Sequence, residues 1–429
     1  MPSLSPLVRL PDGTVKQRAP LTGTEVWTVP GRAHRPIEAP RDERTRIAPD
    51  ERTRLCAFCA DRYRETTPEK ARLVRGDDGG LELLRRVPPD ALFDTVAEFR
   101  RFGNLFEIVS AEYWRENYGF RQPSDVVRWA DEYLSAPTGR AQVERLLATR
   151  DAASGIPTDV EAGALDLVGG SHDVVVARRH VRDDAEWDDE LVSSGELTPD
   201  EHAAYVSFTI DALTQIAAAQ PHAKYTSVFQ NWLRPAGATF EHLHKQLVAI
   251  DEFGPQVSRE IGMLASDRAL YQREIIDAAR REGLVVAAND HAVAVAGVGH
   301  RFPSFEVYSR SRAHLPQAHA PEERRGVSDL LHALHAATGA RVPTNEEWHY
   351  RPAGVIAPMP WRIVLKWRVS TPAGFEGGTK IFVNTIDPWM LRERAVTALR
   401  DLREAGRIGD GIRLGDECPP ADTRLHYAD

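Results

Sequence analysis

Apolar residues recur every three or four positions in several parts of the chain, and this spacing is typical of amphipathic helices. We predict helices from about residue 88 to 165, through Ala204 to Ile216, and from about 321 to 338. The first of these stretches begins with four apolar residues at helical spacing: Ala91, Leu92, Val96 and Phe99.

Short apolar or alternating runs between the helices are typical of β-strands. Strands at 171–180 and 226–231 flank one helix and lead to His242–Ile250, which alternates like a strand. A weaker copy of this order follows, ending in Trp361–Trp367, and such repetition is what an internal duplication leaves. We therefore predict an α+β fold of two related halves, residues 1–255 and 256–429, with mainly antiparallel sheet and flanking helices.

Composition narrows the class of protein. The chain has 429 residues and a formal net charge of -9, which argues against a nucleic-acid partner because binding to phosphate backbones depends on clustered Lys and Arg. The sequence contains no apolar run of 18 residues, and its first residues lack the apolar segment of a secretory signal. We expect no membrane association and a cytoplasmic location.

Three polar side chains alternate along the strand at 242–250. His242, His244 and Gln246 are two residues apart, so a strand directs them to one side. An exposed strand whose polar residues face water explains the row without function. Phosphate chemistry explains it as well: a neutral imidazole is a nucleophile that can hold a nucleotidyl group as a phosphoramidate. Gln246 can donate a hydrogen bond to the negative charge that develops on phosphate oxygens.

The chain has only three cysteines, which excludes a disulfide scaffold. Cys56 and Cys59 form a C-x-x-C pair, which is typical either of a redox pair or of half a metal site. The irregular charged segment before the pair favours the metal site, because a redox pair opens a helix within a strand-helix-strand unit. A zinc site requires two more ligands, for which His180 and His242 are the candidates.

Several motifs, taken in order, resemble those of the galactose-1-phosphate uridylyltransferase family of the histidine-triad superfamily. The likeness spans most of the chain except about residues 107–165, which we interpret as a helical insertion. The matching segments are Ala19–Thr22, Gly31–Pro36, Cys56–Cys59, Phe102–Phe106, Val174–His180, Asn231, Ala236–Thr239, His242–Gln246 and Gly374–Glu376.

This resemblance implies two duplicated histidine-triad-like halves and a nucleotidyltransferase that acts on a nucleotide sugar and a sugar 1-phosphate. A nucleoside monophosphate would pass between sugar 1-phosphates through a covalent bond to His244, assisted by Gln246. The resemblance also implies one structural zinc ion, a homodimer, and contacts to the substrate, with Glu376 supplied by the partner subunit. The implied metal ligands are Cys56, Cys59, His180 and His242, and the implied substrate contacts are Arg35, Asn104, Asn231, Thr239 and Glu376.

Some positions depart from the family's pattern. Leu243 replaces a usual Pro and Lys245 a usual small residue, which leaves a zinc-stabilised nucleotide-sugar binding protein without turnover as one alternative. A phosphorylase or hydrolase on the same scaffold is another. Many members hold a second metal with one Glu and three His, and Glu260 and His314 suit two of those positions. The other two are occupied by Pro360 and Arg362, so we predict no second metal site.

Overall fold

A computed structural model describes residues 6–31, 37–38, 44–370 and 373–429. The described strands form a sheet of twelve strands, all antiparallel to their neighbours, and a separate sheet of four. The strands are β1 (Leu7–Arg9), β2 (Val15–Arg18), β3 (Glu25–Thr28), β4 (Glu69–Arg75), β5 (Leu81–Arg85), β6 (Ala97–Gly103), β7 (His172–Ala177), β8 (Tyr225–Trp232), β9 (His244–Ile250), β10 (Val285–Ala288), β11 (Ala292–Ala296), β12 (Ser304–Ser309), β13 (Thr344–His349), β14 (Arg362–Trp367), β15 (Ile381–Asn384) and β16 (Arg413–Leu414). The α-helices are α1 (Ala111–Tyr118), α2 (Ser124–Ser135), α3 (Pro137–Ser154), α4 (Val160–Gly169), α5 (Pro199–Ala219), α6 (Gly254–Ser266), α7 (Asp277–Arg281), α8 (Pro321–Thr338), α9 (Gly374–Thr379) and α10 (Pro388–Glu404).

The strand order of the large sheet repeats on the two sides of its centre. Strands β8 and β13 pair there, followed outward by β9, β7, β6 and β4 on one side and by β14, β12, β11 and β10 on the other. The long helices α5 and α8 occupy the same place in each half, between β7 and β8 and between β12 and β13. The predicted α+β fold with two related halves is confirmed, while the division at residue 255 stays a prediction.

The two faces of the sheet have different roles. Lys245 and Val175 lie opposite each other, and Lys245 Nζ is 4.9 Å from the centre of the Tyr205 ring of α5, so this face is covered by helices. His244 and Gln246 alternate with Lys245 and therefore point to the other face. The core lies between the sheet and the helices, and the face with His244 is free to form a site.

Two local predictions are wrong. Ala91–Phe99 was expected to be helical, but residues 97–103 form β6, in which Arg100 and Arg101 are buried beside the carboxylates of Glu69 and Asp173. Buried ion pairs put charged residues on both faces of this strand, and its period of two is lost. The second correction concerns His242, which precedes β9, because the strand begins at His244.

The segment predicted as an insertion consists of the helices α1 to α4. Of these, α2, α3 and α4 pack on one another through Tyr133, Leu134, Val143, Leu147 and Leu167, while Trp114 of α1 belongs to the main core. The predicted helices at Ala204–Ile216 and 321–338 are present as α5 and α8. None of the helices within the described ranges has both the length and the apolar character needed to cross a bilayer.

Candidate active site

Four metal-ligand side chains from three distant parts of the chain meet at the end of β7 and β9. The ligand atoms of Cys56, Cys59, His180 and His242 all lie within 4.8 Å of one another. The two Sγ atoms are 3.8 Å apart. His242 Nδ1 lies 3.5 Å from Cys56 Sγ and 3.7 Å from Cys59 Sγ, and His180 Nδ1 lies 3.5 Å from Cys59 Sγ.

These distances fit a tetrahedral ion such as zinc. Zinc–sulfur bonds of about 2.3 Å and zinc–nitrogen bonds of about 2.0 Å place tetrahedral ligands roughly 3.8 Å (S to S) and 3.5 Å (S to N) apart. His242 Nε2 lies 2.7 Å from the carbonyl oxygen of Ala177 and must donate to it, since a carbonyl only accepts. The lone pair of His242 is therefore on Nδ1, the atom that faces the sulfurs.

The electrostatics of the cysteine pair also suit a metal. The hydrogen bond from Cys56 lowers the pKa of Cys59, and the hydrogen bond from His180 adds to this effect against the opposing effect of burial. A thiolate is the form of cysteine that binds a metal ion. Two imidazoles around the pair distinguish this cluster from a simple redox dithiol.

His244 lies beside the cluster, turned to the open face of the sheet. Its Nδ1 is 2.7 Å from the carbonyl oxygen of His242, so Nδ1 carries the proton and Nε2 keeps its lone pair. Burial lowers the pKa of His244 to about 4, which leaves the ring neutral near pH 7. With 4% of its surface exposed, His244 is not part of a strand that merely faces water.

Gln246 is positioned by a hydrogen bond from His172, which lies outside the recognised motifs. The backbone N–H of Ile108 donates to Nδ1 of His172 at 3.1 Å, so the proton of this ring is on Nε2. That Nε2–H donates to Gln246 Oε1 at 2.9 Å. The amide oxygen of Gln246 is thus occupied, and its NH₂ group remains as a donor for an anionic ligand.

A cavity of about 280 Å³ lies above His244 and Gln246. Phe58, which stands between the two cysteines, contributes an apolar wall: its ring centre is 4.4 Å from that of Phe240 and 5.4 Å from that of His244. Phe102 adds a third aromatic ring at 5.6 Å from Phe58. The cavity therefore combines a planar, apolar wall with a polar floor.

Helices α2 and α3 of the added segment contact the backbone that forms one wall of this cavity. Gln142 of α3 is buried, and its Nε2 donates to the carbonyl oxygen of Thr66 at 2.7 Å. Tyr133 of α2 donates to Gln142 Oε1 at 2.9 Å. Because Glu65, Thr66 and Thr67 line the cavity, these contacts connect the added helices to the site.

Only some of the other expected substrate contacts line the cavity. Asn104 and Thr239 line the cavity with His244. Asn231 is outside the lining and accepts a hydrogen bond from Asn345 Nδ2 at 2.7 Å. Glu376 lies in α9, where it accepts a hydrogen bond from the backbone N–H of Ala373, and does not line the cavity of its own chain. Arg35 lies outside the described residues.

In the second half, an ion pair occupies the position that corresponds to His244. Arg362 occupies the position in β14 that His244 occupies in β9, and its two terminal nitrogens lie 3.0 and 2.7 Å from the carboxylate oxygens of Glu260. Tyr271 also donates to Glu260 at 2.6 Å. The carboxylate of Glu260 is therefore engaged with Arg362, and His314 Nδ1 is directed to the carbonyl oxygen of Met359 at 3.1 Å.

Solved structures with similar folds come from Arabidopsis thaliana. An ADP-glucose phosphorylase with bound ADP-glucose aligns with a TM-score of 0.57 and 18% identity, over 89% of this chain and 97% of that one. A GalT-like protein aligns over the same shares with a TM-score of 0.55 and 18% identity. This likeness shows a common fold, which agrees with the resemblance to galactose-1-phosphate uridylyltransferases.

Sequence comparison gives the family. A search of curated protein sequences finds no significant match. A family model described as a domain of unknown function, DUF4921, matches residues 10–427. The chain therefore belongs to the DUF4921 family.

Proposed function

We propose that the chain is a nucleotidyltransferase that carries a nucleoside monophosphate on His244 Nε2. The observation that carries this proposal is the hydrogen bond from His244 Nδ1 to the His242 carbonyl, which leaves Nε2 as the free nucleophilic atom at the floor of a cavity. The fold shared with an ADP-glucose phosphorylase and a GalT-like protein supports the same class of reaction.

The reaction takes two displacements. In the first, His244 Nε2 attacks the α-phosphorus of a nucleotide sugar, a nitrogen–phosphorus bond forms, and the bond to the bridging oxygen breaks to release the sugar 1-phosphate. Gln246, whose carbonyl is held by His172, donates its N–H to a non-bridging oxygen as charge develops. In the second, a phosphate oxygen of the acceptor attacks the phosphorus and His244 leaves. The planar wall of Phe58 and Phe240 suits the base, with Asn104 and Thr239 as further contacts.

The acceptor separates two forms of the proposal. A sugar 1-phosphate gives a transferase with ping-pong kinetics, which is the form that the motifs favour. Inorganic phosphate gives a phosphorylase that releases a nucleoside diphosphate, and the fold shared with the Arabidopsis ADP-glucose phosphorylase favours that form. Both begin with the same adduct on His244.

We further propose that the metal is zinc, held by Cys56, Cys59, His180 and His242. A four-coordinate zinc with protein ligands in every position is a structural site, and it would supply rigidity and no reactive group. It would fix the loop that carries Phe58 against His242, and thereby the aromatic wall next to His244. We also propose a homodimer in which Glu376 contacts the substrate of the partner subunit.

Incubation with nucleotide sugars tests the proposed function. We expect UDP-glucose, ADP-glucose or a related compound to add the mass of one nucleoside monophosphate to the intact protein, and peptide mapping to find it on His244. Glucose 1-phosphate, galactose 1-phosphate and inorganic phosphate are then added separately to find which one removes the label. Tight binding of nucleotide sugars without any adduct would contradict the enzyme and support a binding protein.

Elemental analysis tests the metal site. We expect about one zinc per chain, because four protein ligands complete one tetrahedral site. Cys59→Ser should lose this zinc, whereas Cys418→Ser should keep it, since Cys418 is not among the four clustered side chains and Cys59 Sγ contacts both histidines. A stoichiometry near two would reinstate a second metal site, and zinc retained by Cys59→Ser would contradict the ligand assignment.

A further inference from the structure

A second cavity, of about 350 Å³, lies on the helix-covered side of the large sheet. Arg101 of β6 lines it and stands opposite Val175, which in turn stands opposite Lys245, so Arg101 points away from the face that carries His244. The described residues that line this cavity include none of those around His244. It is therefore separate from the candidate active site.

The polar end of this cavity has more positive than negative charge. Lys70 Nζ and Arg101 Nε lie 2.6 Å from the two carboxylate oxygens of Asp173. Burial alone would raise the pKa of Asp173, but Arg101 and Lys70 outweigh it and keep that pKa below its usual value. Burial raises the pKa of the nearby Glu107 to about 7, so it is only partly ionised at neutral pH. Two cationic side chains therefore lie near one fully ionised carboxylate and one partly ionised carboxylate.

Arg101 also has an unmatched donor. It is 3% exposed, and its Nη1 finds no hydrogen-bond partner among the described residues. Leaving a buried polar group unsatisfied is unfavourable, and more so when the group is charged. An anion bound in the cavity would accept hydrogen bonds from this guanidinium and remove that cost.

The rest of the cavity wall combines aromatic and apolar side chains with the polar side chains of three glutamines. Trp129 of α2 and Phe120, both from the helical segment, and Ile216 near the end of α5 supply apolar surface. Arg86, another lining residue, is already paired with Asp125 at 2.5 Å and stacks on Trp129. The available positive charge is thus that of Arg101 and Lys70, and the apolar surface of Trp129, Phe120 and Ile216 can accept a flat or apolar group.

We propose that this cavity is a second ligand site, which binds a small organic anion through Arg101 and Lys70 and holds its apolar body against Trp129. The anionic group is a phosphate or a carboxylate, since both accept hydrogen bonds from a guanidinium. The site uses helices of the added segment and gives that segment a role besides support of the active site.

Calorimetric titration of the full chain with phenyl phosphate, benzoate and the neutral analogue benzyl alcohol tests this site. We expect at least one of the two anions to bind and the neutral analogue to bind at least tenfold more weakly. Binding of phenyl phosphate alone or of benzoate as well identifies the anionic group. No binding of either anion at millimolar concentration, or equal binding of benzyl alcohol, would overturn the proposal.

Two variants assign the binding to this cavity and not to the His244 site. Arg101→Met removes the donor, and Ala218→Trp fills the mouth from the exposed side of α5 without changing Asp173 or its partners. Each should weaken anion binding at least tenfold. Arg85→Met and Ala217→Trp are the matched controls, because both residues lie outside the cavity lining. Unchanged affinity in Ala218→Trp, which is expected to fold, would overturn the assignment even if Arg101→Met is unstable.

Discussion

His244→Ala is expected to abolish the covalent labelling by nucleotide sugars and to reduce turnover by on the order of 10⁴-fold or more, as removal of a nucleophile does in other enzymes. The reason is that Nε2 of this ring is the atom that forms the bond to phosphorus, and water cannot replace a covalent intermediate at a comparable rate. Intact-mass spectrometry after incubation with the labelling nucleotide sugar measures the adduct, and release of the sugar 1-phosphate measures turnover.

Two controls separate chemistry from folding in this variant. His222→Ala changes an exposed histidine and should label like the unchanged chain. The zinc content of His244→Ala should also be unchanged, because His244 is not among the four clustered ligands. An adduct of the same yield in His244→Ala, or an adduct mapped to another residue, would show that the assignment of the nucleophile is wrong.

Much of this architecture follows from local sequence patterns. The helices α5 and α8 have clear apolar stripes, and strands such as β7 and β11 contain continuous apolar runs, so their type and place were predictable. Strand β6 was not, because Arg100 and Arg101 are buried by pairing with Glu69 and Asp173. Only the partners, which lie far away in sequence, make these charges compatible with a buried strand.

The candidate site likewise contains residues that local motifs identify and residues that only the fold brings together. His244, Gln246 and the two cysteines carry motifs that can be recognised alone. The role of His172 depends on the pairing of β7 with β9, which sets it opposite Val248 and next to Gln246 on the same face. The position of Phe58 above His244 likewise depends on the fold, since the metal-type cluster brings the C-x-x-C loop to the strand. Contacts between distant segments of this kind leave no local signal.

Lys245, which departs from the family's usual small residue, has a structural explanation. It points to the helix-covered face, and its Nζ lies 2.6 Å from Glu346 Oε1 and 3.0 Å from Gln230 Oε1. Burial alone would raise the pKa of Glu346, but Lys245 and then His335 hold it well below its usual range. The pair connects β9 of the first half to β13 of the second across β8. The departure at Lys245 therefore gives no reason to assume that catalysis has been lost.

Glu346→Gln is accordingly expected to destabilise the fold by about 3–5 kcal/mol, because Lys245 is then a buried charge without a counter-charge. Adding Lys245→Met should restore part of this loss, with a coupling energy of about 2–3 kcal/mol between the two positions. Urea unfolding of both single variants and the double variant measures these free energies.

Asp211→Asn, which breaks the more exposed pair with Arg85, is the matched control and should cost less than about 1 kcal/mol. Effects that simply add would contradict the ion pair, and a folded Lys245→Met chain that no longer labels on His244 would show that this lysine acts in the site after all.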